Sequence, residues 1–403
     1  MKKFIRLLSA AIVLFLSVSH LPAANREADS LIVEKIVRMN SYITVPYNRT
    51  VRDYIDMYTI KNPKITAKLI GLGDYYLPLF EEIFDRYGMP QELKMMAVIE
   101  SNLNPLARSK VGATGMWQFM YRTAKHYGLK INSFVDERMD PFESADAAAR
   151  YLRDAYNEFG DWNLAISAYN CGFGAVRKAI ARSGGSRDFW DIYPFLPRET
   201  RSYVPAFVGA MYGFKYYKDY GIEPEKFVFP AEIDTIEIHR NLHFKQIHEL
   251  IGVPLDTLKL LNPQYTHDII PGNEGSYILS IPANYSVKII EHGDSLYKHN
   301  SSKYLSASVI KSIKAGGNGE SIRYKVKPGD TLSGIALKHN VKVSQLKKWN
   351  GLKSSLIKPG QRILIYTREL LRVAPESFFP FLPDLSSAQN GRWLLPFYLS
   401  GIS

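Results

Sequence analysis

The chain has 403 residues, 46% hydrophobic and 22% charged, a composition that excludes global disorder and leaves room for two or three domains. With 51 Lys plus Arg against 39 Asp plus Glu its net charge is +12, which favours an anionic partner: an acidic cell wall, a membrane surface or nucleic acid. The single cysteine, Cys171, excludes an internal disulfide framework.

Lys2, Lys3 and Arg6 precede an apolar run from Leu7 to Val18, with small residues Ala23 and Ala24 after it, which predicts a secretory signal peptide over 1–24. The run is too short to span a bilayer comfortably. An uncleaved anchor is the alternative reading. Export to the periplasm or cell envelope makes nucleic acid the least fitting partner. Cys171 lies far from the signal region, so no lipoprotein cysteine is expected.

From about residue 30 to 225 apolar residues recur at three- and four-residue spacing, in Leu31 to Met39, Val51 to Tyr58, Tyr76 to Tyr87, Glu92 to Glu100, Ala145 to Phe159 and Leu164 to Tyr169. Glycine-rich breaks at Gly88-Met89-Pro90, Gly128, Gly160, Gly172 to Gly174 and Ser183 to Ser186 separate them. This half is predicted all-helical, as an N-terminal segment over 25–75 and a larger domain over 76–228. Within it Glu100 ends the apolar run Met95-Met96-Ala97-Val98-Ile99, and Gly112-Ala113-Thr114-Gly115-Met116-Trp117-Gln118-Phe119-Met120 follows. A carboxyl on a mostly apolar helix loses solvation, which raises its pKa and keeps a proton available for donation. The plain alternative is a solvated glutamate at a helix end. Gly112 and Gly115 suit a backbone that passes close to a ligand or adopts positive φ, or are simply turn glycines.

Beyond Pro230 a strand from Ile233 to Ile238, a helical stretch from Phe244 to Leu261 and a strand from Tyr277 to Ile281 predict a small mixed module over 231–285. His239 and His243 lack acidic or cysteine companions and read as surface or structural residues, so no metal is expected. The polar segment 286–321 has the composition of a flexible linker. Residues 322–366 then read as strand, helix, helix, strand. Pro328-Gly329 is a turn signal, Asp330 or Thr331 caps the first helix, Ser344 caps the second, and Asn350-Gly351 ends it. The tail over 367–403, with Phe378-Phe379-Pro380-Phe381 and Trp393-Leu394-Leu395, is too apolar for an ordinary solvated tail and carries no motif.

The segment YKVKPGDTLSGIALKHNVKVSQLKKWNGLKSSLIKPGQRILIY resembles a LysM domain over its whole length, and 231–285 resembles a degenerate copy without the Gly-Asp-Thr-Leu turn. LysM modules bind N-acetylglucosamine-containing glycans. The resemblance puts the sugar groove at Gly329, Asp330, Thr331, Leu332 and Ile357, residues that otherwise serve as a helix start and a core contact. In the helical half, IESNLNPLARSKVGATGMWQFM, WNLAISAYNCGFGAV and LPRETRSYVPAF resemble, in order, the lytic transglycosylases of the soluble-transglycosylase, goose-type lysozyme-like superfamily. The implied architecture is multidomain: an all-α lysozyme-like catalytic domain followed by small α+β (βααβ) LysM modules.

By that resemblance Glu100 is the single catalytic acid/base, Ser109, Gln118, Tyr169 and Asn170 line the saccharide groove, and Glu199 is a second glutamate near the site that is not the nucleophile. Each has a structural alternative: Ser109 as a turn residue, Gln118 on an exposed helix face, Tyr169 in the core, Asn170 as a helix C-cap, Glu199 as a partner of Arg198 or Arg201. The implied partner is peptidoglycan glycan, with no cofactor and no obligate protein partner. The implied reaction cleaves the β-1,4 bond between N-acetylmuramic acid and N-acetylglucosamine and closes a 1,6-anhydro ring. A hydrolytic muramidase and a catalytically silent wall-binding scaffold are the alternatives.

Overall fold

A computed structural model describes residues 29–45, 47–315, 321–339 and 341–366. The expected signal peptide and the 367–403 tail lie outside the described residues. The helical half begins with α1 (Asp29–Arg38) and α2 (Arg49–Asp56), continues through a π-turn Met57–Lys61 into α3 (Pro63–Arg86), and reaches α4 (Met95–Ser101). It goes on through α5 (Tyr121–His126), α6 (Pro141–Phe159), α7 (Trp162–Cys171), α8 (Phe173–Arg182), α9 (Phe189–Ile192), α10 (Arg198–Arg201) and α11 (Tyr203–Tyr216).

Local chemistry sets these boundaries. Asp140 accepts from the amides of Phe142 and Glu143 at 2.9 and 3.1 Å to start α6, with Pro141 in the first turn, and Gly160 ends it in the left-handed conformation. Asp161 caps α7 by accepting from the Leu164 amide at 3.0 Å. Helix α3 runs through residue 75, where the sequence suggested a segment boundary, and α1 and α2 bury Ile32, Ile36, Val51 and Ile55 in the same core as α3 to α9 and α11. The first 75 residues, as far as they are described, are therefore part of the helical domain. Helix α11 lies close against α2 because Gly209 and Gly213 leave room: a Cβ on Gly209 would stand 2.7 Å from the Cβ of Tyr54.

The next module has β1 (Ile233–Ile238), β2 (Asn241–His243), α12 (Phe244–Ile251), α13 (Leu255–Leu261), β3 (Ile269–Pro271) and β4 (Tyr277–Pro282), with β1 antiparallel to β4 and β2 to β3. Two observations revise the sequence reading. The helical stretch 244–261 is two helices broken at Gly252-Val253-Pro254, and the short pair β2–β3 carries no alternation long enough to detect.

The expected flexible linker is corrected outright. Its described part folds into α14 (Ser286–Lys298), α15 (Ser301–Tyr304) and α16 (Ala307–Lys314). Ile289, Leu296 and Ile313 are buried there against Phe244, Ile247 and Leu279 of the module. The buried Gln246 amide donates to the carbonyls of Leu296, Tyr297 and His299 at 3.2, 3.2 and 2.7 Å, fixing the end of α14 to α12. The polar residues are the solvated faces of amphipathic helices.

The last module is β5 (Ser321–Lys325), α17 (Leu332–Lys338), α18 (Val343–Asn350) and β6 (Arg362–Tyr366), with β5 and β6 antiparallel. Thr331 caps α17, accepting from the Gly334 amide at 3.0 Å. Ser344 is not a cap: α18 is capped two residues earlier, at Lys342, whose amide donates to Gln345 Oε1 at 2.9 Å. Asn350 and Asn262 play the same part in the two modules. Each asparagine exchanges two hydrogen bonds with the closing strand, at Leu364 and Ser280 respectively, all between 2.7 and 2.8 Å.

Candidate active site

Helix α4 is short because Asn102 and Leu103 both take positive φ, 55° and 58°, turning the chain sharply just after Glu100. Met95 to Ile99 are buried, while Glu100 is half-buried. Burial pushes its carboxyl up to about 7 from an ordinary 4.5, and a hydrogen bond donated by the Tyr203 hydroxyl to Oε1 pulls in the opposite direction. Among the described residues no Lys, Arg or His forms an ion pair with Glu100.

The loop that follows is held from below. Trp117, fully buried, packs edge-on against Phe80 and Phe84 of α3 with centroids 5.1 and 5.8 Å apart. Ser101, next to Glu100, donates to the Met116 carbonyl at 2.8 Å, and Tyr169 of α7 donates to the Trp117 carbonyl at 2.7 Å. At Gly115, φ is 87° and a Cβ would lie 1.6 Å from the Arg138 carbonyl oxygen, so only glycine fits. Gly112, also at positive φ, faces open space.

The expected groove residues fall into two groups. Ser109, Gln118 and Tyr169 gather on this loop. Ser109 Oγ accepts from the Ala113 amide at 3.0 Å and closes the turn holding Gly112. Gln118 is buried, not on an exposed helix face. It sits at φ 47° in a loop, its amide donating to the carbonyls of Gly115 and Ala107 at 2.8 and 3.3 Å. A non-glycine residue held there is strained, which is common at functional sites.

Asn170 and Glu199 form the other group. Asn170 lies inside α7, two residues before its C-cap Gly172, and its Oδ1 accepts from Thr200 Oγ1 at 2.8 Å, tying α7 to α10. Glu199 is exposed. Its carboxylate has no partner among the described residues, since Arg201 donates to the carbonyls of Leu196 and Pro194 instead. Cys171 donates to the Ser167 carbonyl at 3.2 Å, and burial pushes its thiol up to about 11, the opposite of an activated nucleophile.

In the last module, Asp330 accepts from the Lys327 amide at 2.7 Å and from Tyr324 Oη at 2.9 Å, shaping the turn with Gly329 at φ 86°. These two contacts hold the half-buried Asp330 carboxyl below the usual carboxylate range. Thr331 is exposed and Ile357 half-buried on the same module, whereas Leu332 is in the core and offers a ligand only its backbone.

Sequence reasoning missed Tyr203. It stands inside the quoted block LPRETRSYVPAF, and its signal is a buried hydroxyl-bearing residue at the start of an otherwise apolar helix.

Residues 79–191 match the Transglycosylase SLT domain family, 232–298 the LysM-like domain of lytic transglycosylase MltD, and 324–365 the LysM domain family. A half-buried glutamate over a glycine-rich loop in a lysozyme-like helical domain, trailed by LysM modules, defines a peptidoglycan-directed lytic transglycosylase architecture. The chain resembles the lytic murein transglycosylases and carries matches to both the SLT and the LysM families. It is similar to the membrane-bound lytic murein transglycosylase D of Escherichia coli K12, at 29% identity over 326 residues that span 80% of this chain and 70% of that protein. Membrane-bound lytic murein transglycosylase F of Shewanella sediminis is 33% identical over 162 residues, 36% of this chain and 30% of its own. The crystal structure of the 70 kDa soluble lytic transglycosylase of Escherichia coli is a local likeness, 30% identical over 36% of this chain and 26% of that one, with a TM-score of 0.31.

Proposed function

We propose that the protein is a peptidoglycan lytic transglycosylase in which Glu100 acts first as acid and then as base, and that the 322–366 module holds it on the wall. The observation that carries this reading is the state of Glu100: half-buried, bonded to Tyr203 and titrating near 7. Such a carboxyl is largely protonated in mildly acidic conditions and about half protonated at neutrality, close enough to run in both directions.

Retaining glycosidases of the common type place a nucleophilic carboxylate roughly 5 Å from the acid, and substrate-assisted enzymes dispense with it. Glu199, the second glutamate of the motif, is exposed and lies on another helix, α10. Glu100 would therefore give its proton to the glycosidic oxygen as the bond from the muramyl anomeric carbon to that oxygen breaks. The muramyl N-acetyl group stabilises the positive charge that develops. The Glu100 carboxylate then takes the proton from the muramyl C6 hydroxyl, whose oxygen bonds to the anomeric carbon. The proton count closes on the enzyme, and no water enters the product.

Ser109, Gln118, Tyr169 and Asn170 are proposed to line the glycan groove, with Glu199 beside it. Gly329, Asp330, Thr331 and Ile357, with the backbone of Leu332, would receive N-acetylglucosamine on the LysM module. The related murein enzymes fit an envelope location. The finer reading is an exported, wall-associated protein of the periplasm; among the described residues no helix is long and apolar enough to cross a membrane. Mass analysis of muropeptides released from purified sacculi tests the reaction. Anhydromuramyl ends, lighter by one water than reducing ends, support it; reducing ends make the protein a muramidase, and no release makes it a scaffold.

A further inference from the structure

We infer that the first LysM-like module is a buttress of the catalytic loop, with Arg138 as the positioning residue that transmits its docking, and is not a second sugar reader. In a LysM fold the sugar groove lies between the turn opening the first helix and the loop after the second. In this module protein occupies both sides. At the first, Tyr304 of α15 lies against the His243 ring, centroids 4.9 Å apart, and its hydroxyl bonds Glu249 of α12. At the second, the loop after α13 is bonded to the helical domain: Gln264 O accepts from the Asp136 amide at 2.9 Å, and the Thr266 amide donates to Phe134 O at 2.8 Å. Thr266 Oγ1 adds a bond to Ser133 O at 2.9 Å.

Phe134 and Val135 belong to the helical domain by sequence, yet their side chains are buried in the module's core beside Phe244 and Tyr265. Asp136, the next residue, receives the Arg138 guanidinium on both carboxylate oxygens, at 2.8 and 2.7 Å. The same guanidinium donates to the carbonyls of Gly112 and Phe119 at 3.0 and 3.3 Å, and the Arg138 carbonyl fills the space that Gly115 leaves open. An unbroken run of buried contacts thus joins the module to the loop carrying Ser109 and Gln118. Asp136 and Arg138 are both under a tenth exposed, so the pair holds a fixed geometry.

This inference rests on the proposed reaction for its kinetic part only. The test uses the full chain and two variants. Phe134→Ala removes the plug from the module's core. Arg138→Lys keeps the charge opposite Asp136 but cannot hold two loop carbonyls with a rigid fork. Hydrogen exchange at the Gly115 and Phe119 amides is expected to accelerate about tenfold or more in both variants. On soluble glycan fragments kcat should fall about tenfold with KM changed far less, the signature of a misplaced loop. Pelleting with sacculi should persist, because the 322–366 module is untouched. Unchanged exchange in the loop of either folded variant overturns the inference. So does normal kcat together with lost pelleting, which would make the module a sugar reader. If the wild type releases no muropeptides, the proposed reaction falls and the exchange data still decide the buttress; if Phe134→Ala does not fold, Arg138→Lys decides it alone.

Discussion

Replacing Glu100 by glutamine should make the protein more stable at alkaline pH while removing its activity. The unfolded carboxyl keeps its ordinary value of 4.5 and the folded one is pushed up to about 7. Between those values folding takes up a proton, so stability falls as pH rises through this window and the loss is complete above about 7. The gap corresponds to roughly 3 kcal/mol at 1.36 kcal/mol per pH unit. Partial exposure of the half-buried carboxyl to water reduces this to about 2–3 kcal/mol. Glutamine does not titrate, and its Oε1 still accepts from Tyr203. The variant should match the wild type at about pH 4 and unfold higher at about pH 8, by roughly 4–12 °C for a domain of this size. Scanning calorimetry at the two pH values measures it. An offset of the same size at both, or none at about pH 8, would refute burial as the origin of the raised value.

Tyr203→Phe removes the hydrogen bond that pulls the Glu100 pKa down, so the alkaline limb of the kcat/KM profile should move upward, with kcat lowered about tenfold or more. Gly115→Ala sets a methyl 1.6 Å from the Arg138 carbonyl at φ 87°, and should cost about 2 kcal/mol or more in chemical denaturation and abolish turnover. Deleting 322–366 should weaken pelleting with sacculi by tenfold or more and leave kcat on soluble fragments within about twofold, since the catalytic loop is held by the other module.

What the sequence disclosed follows from how local the determining physics is. Helices α6 and α7 announce themselves through apolar spacing and the breaks at Gly160 and Gly172, which act within a few residues, and the burial of Glu100 follows from the apolar run on its own helix. Tyr203 lies 103 residues from Glu100, and no periodicity connects them. The left-handed Gln118 was equally hidden, because glutamine does not advertise positive φ as glycine does. The segment 286–315 misled through composition. Its lysines, serines and histidines outnumber Ile289, Leu296 and Ile313, yet those three suffice to dock α14 and α16, and the spacing of the apolar residues carried the information that the average concealed. The contact of Phe134 with the following module was invisible for a related reason: an apolar residue in a loop reads as local core until its partners, 110 or more residues on, are known.

The most direct test compares anhydromuropeptide release from purified sacculi by the wild type and by Glu100→Gln at equal bound enzyme. Ring-closed muramyl ends should accumulate with the wild type and be absent with the variant, although both sediment with the wall. Ring-closed ends appearing at an undiminished rate from the variant would show that the proton comes from elsewhere, and would contradict the account.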